Sequence, residues 1–164
     1  MSLKIIHTAD WHLGQTFFGY DRDEEHEAFL SWLIDILTLR QTDVLLIAGD
    51  VFDVANPSAA AQRRFFRFLR EANRRNPQLQ IVIIAGNHDS AARLEAPIPL
   101  LEELNTSIVG AVPRTDLCKI DFDSLLIPLY NKEGKREAIC LAVPYLRQGD
   151  YPASKEGKDT YVEG

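Results

Sequence analysis

Three short runs in this chain concentrate side chains that bind metal ions: Asp10-Trp11-His12, Gly49-Asp50-Val51-Phe52-Asp53 and Gly86-Asn87-His88-Asp89. Carboxylate, imidazole and carboxamide oxygen form a mixed N/O donor set that suits Mn²⁺, Zn²⁺ or Fe²⁺. Asp-x-His places Asp10 and His12 on alternate positions, close enough to chelate one ion. Asp50 would bridge that ion and a second, and Asn87 would give the second an oxygen. Paired ions roughly 3.5–4 Å apart hold a phosphate diester and stabilise both its attacking and leaving oxygens. Water held by such ions ionises near neutral pH and supplies the nucleophile. His88 would then face the phosphate, either as charge stabiliser or as acid for the leaving oxygen. Asp53, three residues past Asp50, is placed to hydrogen-bond His88 and set its tautomer.

Each run follows an apolar, β-branched stretch that reads as a buried strand. Strand one covers Lys4 to Ala9, strand two Asp43 to Ala48 and strand three Leu79 to Ala85. Glycine at the ends of the second and third lets the backbone turn without a Cβ penalty. Three strands would thus deliver their polar residues to one sheet edge, where open α/β sheets bind ligands. Between them, Glu24 to Leu39 has the apolar spacing of helix one (Phe29, Leu30, Leu33, Ile34, Leu37). Helix two is opened by Asn56-Pro57-Ser58, with Ser58 as N-cap, and stopped by Asn76-Pro77. A third helix starts near Ser90, breaks around Pro97 and Pro99, and resumes through Leu100 to Leu104. Further strands are expected at Thr106 to Val109, Leu125 to Ile127 and Ile139 to Val143. The order β-α-β-α-β-α followed by strands predicts an α/β layered domain over residues 1–150. Residues 151–164 are polar, without a core face, and read as a loose tail.

Composition narrows the classes. The 164 residues are 46% hydrophobic and 26% charged, as in one globular domain. Eighteen basic against 24 acidic residues give a net charge of −6, which argues against a basic nucleic-acid wrapper. A nuclease stays open, because a metal centre brings its own positive charge to a phosphate. Cys118 and Cys140 lack zinc-type spacing and read as free thiols of a reducing compartment. No apolar run approaches the roughly 18 residues of a membrane span and no signal-peptide core is visible, so a cytoplasmic protein is expected. Met1-Ser2-Leu3 and Glu163-Gly164 have the look of cloning residues.

Other residues that invite a functional role have a plainer one. His26 falls in the apolar arc of helix one and reads as a satisfied core histidine, and His7, inside strand one, as structural. Trp11 is expected to pack rather than stack on a base. Arg63, Arg67, Arg70 and Arg74 line one side of helix two and read as a solvated face rather than a DNA contact.

Taken singly each motif is weak, but the ordered set Asp10-x-His12, Gly49-Asp50-x-x-Asp53 and Gly86-Asn87-His88-Asp89 resembles the calcineurin-like metallophosphoesterases. The stretches His7–Gln15, Glu25–Leu30, Ala48–Asp53 and Leu141–Arg147 look like the bacterial SbcD-type nuclease subunits within that superfamily. The resemblance implies a four-layer αββα sandwich and a Mn²⁺-dependent DNA nuclease. Such a subunit trims double-stranded ends 3′ to 5′ and opens hairpins in DNA repair and recombination, as a homodimer with an SbcC-type ATPase. It further implies Asp10, His12, Asp50 and Asn87 as ligands of two divalent ions, Asp50 bridging, with His88 and Asp53 catalytic. Some relatives carry His at the position of Asp53.

One departure matters. The family has Gly-His and Gly-His-x-His ligand motifs further along, whereas the histidines here are His7, His12, His26 and His88. The expectation is the N-terminal portion of the phosphoesterase domain, with a second sheet left incomplete, an unpaired edge and exposed apolar surface. Two alternatives stand beside the nuclease: a phosphomonoesterase or cyclic-nucleotide phosphodiesterase of the same superfamily, and a catalytically incomplete binding or structural fragment.

Overall fold

The computed structural model describes residues 2–101, 104–115, 119–147 and 150. Its elements run β1 (Ile5–Thr8), β2 (Thr16–Phe17), β3 (Tyr20–Asp21), α1 (Asp23–Leu39), β4 (Val44–Ala48), α2 (Ala59–Arg75) and β5 (Gln80–Ile84). They continue with α3 (Ala91–Glu95), α4 (Ile98–Leu101), β6 (Thr106–Val109), a 3₁₀ turn (Asp123–Leu125), β7 (Leu126–Tyr130) and β8 (Arg136–Leu141). Strands β1, β4, β5 and β6 form a parallel sheet in that order, with Ile5 opposite Val44, Val44 opposite Gln80 and Ile81 opposite Thr106.

Strand alternation splits the sheet's side chains between two cores. Leu45, Ile47, Ile81, Ile83 and Ile108 pack with Leu33, Leu37, Phe65, Phe68 and Leu69 of α1 and α2. Val44, Val82 and Val109 face the other way, onto Leu129 and Ala142, with Ile127, Ala138 and Cys140 packed alongside. β7 and β8 pair antiparallel as a second sheet laid on the first. Gln80, 7% exposed, joins the two by donating to the Pro128 carbonyl (2.8 Å) and accepting from the Tyr130 N–H (3.3 Å). Three layers result, helices on sheet on sheet. This is the α/β class expected, with a second sheet of two strands among the described residues.

Local signals place the helices. Ser58 Oγ accepts from the Ala61 N–H at 3.1 Å, and Asp23, Glu24 and Glu25 fill the first turn of α1, complementing its dipole. The third helix is two short pieces, ending at Leu101, with residues 102 and 103 outside those described. Four readings need correction. β1 is not a buried strand: it lies at the sheet edge, and Ile5 is 44% exposed and His7 exposed. The Gly/Tyr/Asp-rich connection leading to Arg22, for which no strand is expected, is a tight hairpin turned by Phe18 and Gly19, both at positive φ as a type I′ turn requires. The expected strand at Leu125 to Ile127 begins one residue later, after the 3₁₀ turn, and extends to Tyr130. The last strand is Arg136–Leu141, three residues earlier in its start than the apolar pattern suggests. The expected loose tail at 151–164 and Cys118 lie outside the described residues; Cys140 is a free thiol. Among the described residues no helix is long and apolar enough to cross a membrane.

Candidate metal centre

The three chemically loaded loops leave adjacent parallel strands and stay zipped together beyond them. Asp10 N–H donates to the Gly49 carbonyl (3.1 Å), His12 N–H to the Asp50 carbonyl (2.9 Å) and Leu13 N–H to the Val51 carbonyl (3.0 Å). The ladder between β1 and β4 thus continues into the loops that follow them. Asp89 ties the third loop to the second. It has no solvent exposure, and its carboxylate accepts from the N–H groups of Val51 (3.1 Å), Phe52 (3.0 Å) and Gly86 (2.9 Å).

Glycine is required where the second and third loops meet. A Cβ on Gly86 would lie 2.1 Å from Asp50 Oδ1, and one on Gly49, at φ +85°, would lie 3.0 Å from Gly86 Cα. Three of the polar residues take up left-handed backbone themselves: Asp10 (φ 56°), His12 (φ 47°) and Asp50 (φ 48°). Side chains rarely adopt this region, and it persists only where surrounding contacts over-determine it. The inter-loop hydrogen bonds provide that determination.

The ligand atoms of Asp10, His12 and Asp50 all lie within 4.8 Å of one another, and so do those of His12, Asp53 and His88. His12 belongs to both groups. Its Nε2 is 3.8 Å from Asp50 Oδ2, and its ring meets that of His88 edge-on at 4.9 Å between centroids. Asp50 is only 8% exposed, and its Oδ1 accepts from the His88 N–H at 3.0 Å. Among the described residues no lysine or arginine is ion-paired with Asp10, Asp50 or Asp53. A carboxylate withdrawn from water needs a compensating charge. A divalent cation fits this donor set, in charge and in ligand chemistry. Asn87 follows Gly86 on the same loop, exposed to solvent and directly before His88.

Asp53 does meet His88, though through its main chain and not its carboxylate. His88 Nδ1 is held by the Asp53 main-chain carbonyl at 2.6 Å, and the carboxylate turns to His12, with Oδ1 3.2 Å from Nδ1. That carbonyl, accepting from Nδ1, favours the charged ring and raises the His88 pKa above the ordinary histidine value. Partial burial opposes the shift, and Asp50, Asp53 and Asp89 reinforce it.

Trp11 packs, as expected: it is 5% exposed, edge-on to Phe29, Phe65 and Phe68, with its indole N–H on Thr8 Oγ1. His26 is buried, but it is not satisfied, since its Nδ1 has no hydrogen-bond partner. The arginine stripe is solvent-facing, and Arg67 pairs with Glu27 and Arg74 with Glu71. Three contributors escape a reading by motif. Gln15 and Arg22 line a cleft of about 440 Å³ beside Asp10 and His12. Arg147 donates to the carbonyls of Asp89 (2.8 Å) and Asn87 (3.4 Å), bracketing His88 from the segment after β8. Gln15 and Arg147 had a signal, as the last residues of the His7–Gln15 and Leu141–Arg147 stretches, and Arg22 had none.

Comparison with known proteins points the same way. The calcineurin-like phosphoesterase family profile matches residues 3–148. The SbcD subunit of the SbcCD nuclease from Rhodobacter capsulatus is 48% identical over 162 residues, covering 99% of this chain and 40% of that protein. The corresponding subunit from Escherichia coli is 34% identical, over 94% of this chain and 36% of its own length. That of Bacillus subtilis is 40% identical, over 74% and 31%. The chain therefore spans well under half the length of these relatives.

Proposed function

The chain belongs to the calcineurin-like phosphoesterases, and from that premise we propose that residues 1–150 form the N-terminal portion of the catalytic domain of a DNA nuclease subunit. The observation that carries this is the convergence of Asp10, His12 and Asp50, from two separate loops, within 4.8 Å and beside His88. Asp10, His12 and Asp50 would hold one divalent ion, and Asn87 would contribute to holding a second, Mn²⁺ in the first place. When bound, the ions supply Lewis acidity to the phosphodiester and lower the pKa of water.

The chain's own residues do the rest. The His88 N–H fixes the Asp50 carboxylate, so its second oxygen stays turned toward His12. The Asp53 carbonyl occupies His88 Nδ1, which leaves Nε2 to face the phosphate. With its pKa raised above the ordinary histidine value by the Asp53 carbonyl, the ring is more readily protonated, which suits it to stabilise phosphate charge and to donate a proton to the leaving oxygen. The relatives are named as one subunit of the nuclease SbcCD. By that likeness the partners are DNA ends and hairpins, an SbcC-type ATPase and a second copy of the chain, in the cytoplasm.

The test compares hairpin DNA with p-nitrophenyl phosphate in Mn²⁺, alongside Mn²⁺ calorimetry. DNA is the preferred substrate, and Asp50→Asn lowers its cleavage by about 100-fold and removes metal binding. Faster turnover of the monoester would favour a phosphomonoesterase. A folded chain that binds no Mn²⁺ would mean these residues do not suffice for the site.

A further inference from the structure

His12 presents its two ring nitrogens to two different carboxylates: Nε2 toward Asp50 Oδ2 at 3.8 Å, Nδ1 toward Asp53 Oδ1 at 3.2 Å. The same Asp53 oxygen accepts from Gln15 Nε2 at 3.3 Å, and Gln15 Oε1 accepts from Arg22 Nη1 at 2.8 Å. Arg22 lies at the start of α1, directly after the β2–β3 hairpin. A chain of polar contacts therefore runs from the base of that hairpin to the ring of His12.

Its chemistry has one consistent direction. Guanidinium only donates, so Gln15 must turn its carbonyl oxygen to Arg22 and its NH₂ to Asp53. That orients the Asp53 carboxylate, which in turn favours the proton on His12 Nδ1. The free lone pair is then on Nε2, the nitrogen that faces Asp50. Metal-bound imidazoles commonly give their other N–H to a carboxylate, which sets both tautomer and ring orientation. The contact at His12 Nδ1 is close yet lacks good hydrogen-bond geometry, so the carboxylate's position depends on what else grips it. The backbone of His12, at φ 47°, also needs outside determination.

We propose that Asp53, Gln15 and Arg22 form an outer relay that sets the tautomer and orientation of His12, with Gln15 and Arg22 as positioning residues for the metal centre. This rests on His12 being a metal ligand. It also gives the Asp53 carboxylate a task of its own, beside the main-chain contact of Asp53 with His88.

Two readouts on the whole chain test it: Mn²⁺ affinity by calorimetry, and the ¹⁵N shifts of the His12 ring in metal-free protein. Gln15→Ala and Arg22→Gln each weaken Mn²⁺ binding about 10-fold and move the His12 ¹⁵N pair toward a tautomer mixture, while Arg22→Lys recovers most of both. Unchanged affinity and unchanged ¹⁵N shifts in the first two variants would overturn the relay. If His12→Gln leaves Mn²⁺ binding intact, the ligand reading falls, and the positioning role for the metal falls with it. The metal-free ¹⁵N shifts then still decide whether Gln15 and Arg22 set the ring.

Discussion

Asp89 closes the candidate site without touching the groups that would do its chemistry. Its carboxylate has no contact with water and accepts three main-chain N–H groups from two loops, so it replaces a stretch of sheet ladder where the strands have ended. Asp89→Asn keeps the shape but sets an NH₂ group against backbone donors. Hydrogen bonds to a charged acceptor contribute about 1.5–3 kcal/mol each, and a buried donor left unpaired costs a further ~1–3 kcal/mol. Urea unfolding of Asp89→Asn should therefore show a loss of about 2–4 kcal/mol. A loss below about 0.5 kcal/mol would mean that the loops hold together without it. The Gly-Asn-His-Asp run draws attention to this residue, but its three partners lie 3 to 38 positions away and only the folded chain identifies them.

At the junction of α1 and α2, a buried histidine sits among charges. Burial pulls the His26 pKa below the ordinary value near 6.5; Arg22 and Arg64 push it the same way, and Asp23 and Glu25 oppose them. Arg64 is itself buried and pairs with Asp23 at 2.8 Å. In the unfolded chain His26 titrates near 6.5. Between its folded and unfolded values the unfolded state binds more protons, so stability rises with pH across that window. It is lost as pH falls below about 6.5, and the loss ends beneath the folded value. His88, shifted upward, contributes with the opposite sign, so the informative quantity is a difference. Wild-type Tm should drop more than that of His26→Gln between pH 7.5 and 5.5. Parallel curves would remove His26 as the cause. The helical period places His26 on the apolar side of α1, but the charge of Arg64, which adds to that of Arg22, comes from α2.

At the scale of the molecule, among the described residues the second sheet covers only part of the first and has no layer on its own outer face. Leu126, Ile139 and Leu141 on its outer face are 44–58% exposed, while Ile127, Leu129, Ala138 and Cys140 of the same strands pack inward. Ile5 on edge strand β1 is exposed as well. A contiguous apolar face of this kind binds hydrophobic probes and promotes association. Ile139→Lys combined with Leu141→Lys should lower anilinonaphthalene sulfonate fluorescence by about half or more and reduce concentration-dependent sedimentation, with Tm nearly unchanged. Equal dye binding in the double variant would place the exposed apolar surface elsewhere.

The sequence by itself determined the elements whose signals are local. Apolar period marked α1 and α2, the Ser58 cap fell where the spacing put it, and Thr106–Val109 is the strand expected. It also determined the chemical inventory of the site, because three strand ends carrying metal-suited residues are visible in one dimension. Only the tertiary structure decided how that inventory is wired. The edge position of β1 follows from strand order, which no local pattern encodes. Asp53 turned its carbonyl to His88 and its carboxylate to His12 because a residue offers both groups at once, and the neighbouring loops select between them. Gln15 and Arg22 belong to no metal-ligand pattern, Asp89 belongs to one without its task being visible there, and all three act through contacts. Spacing brings candidate ligands to one edge; contacts between residues distant in sequence settle which atoms face one another there.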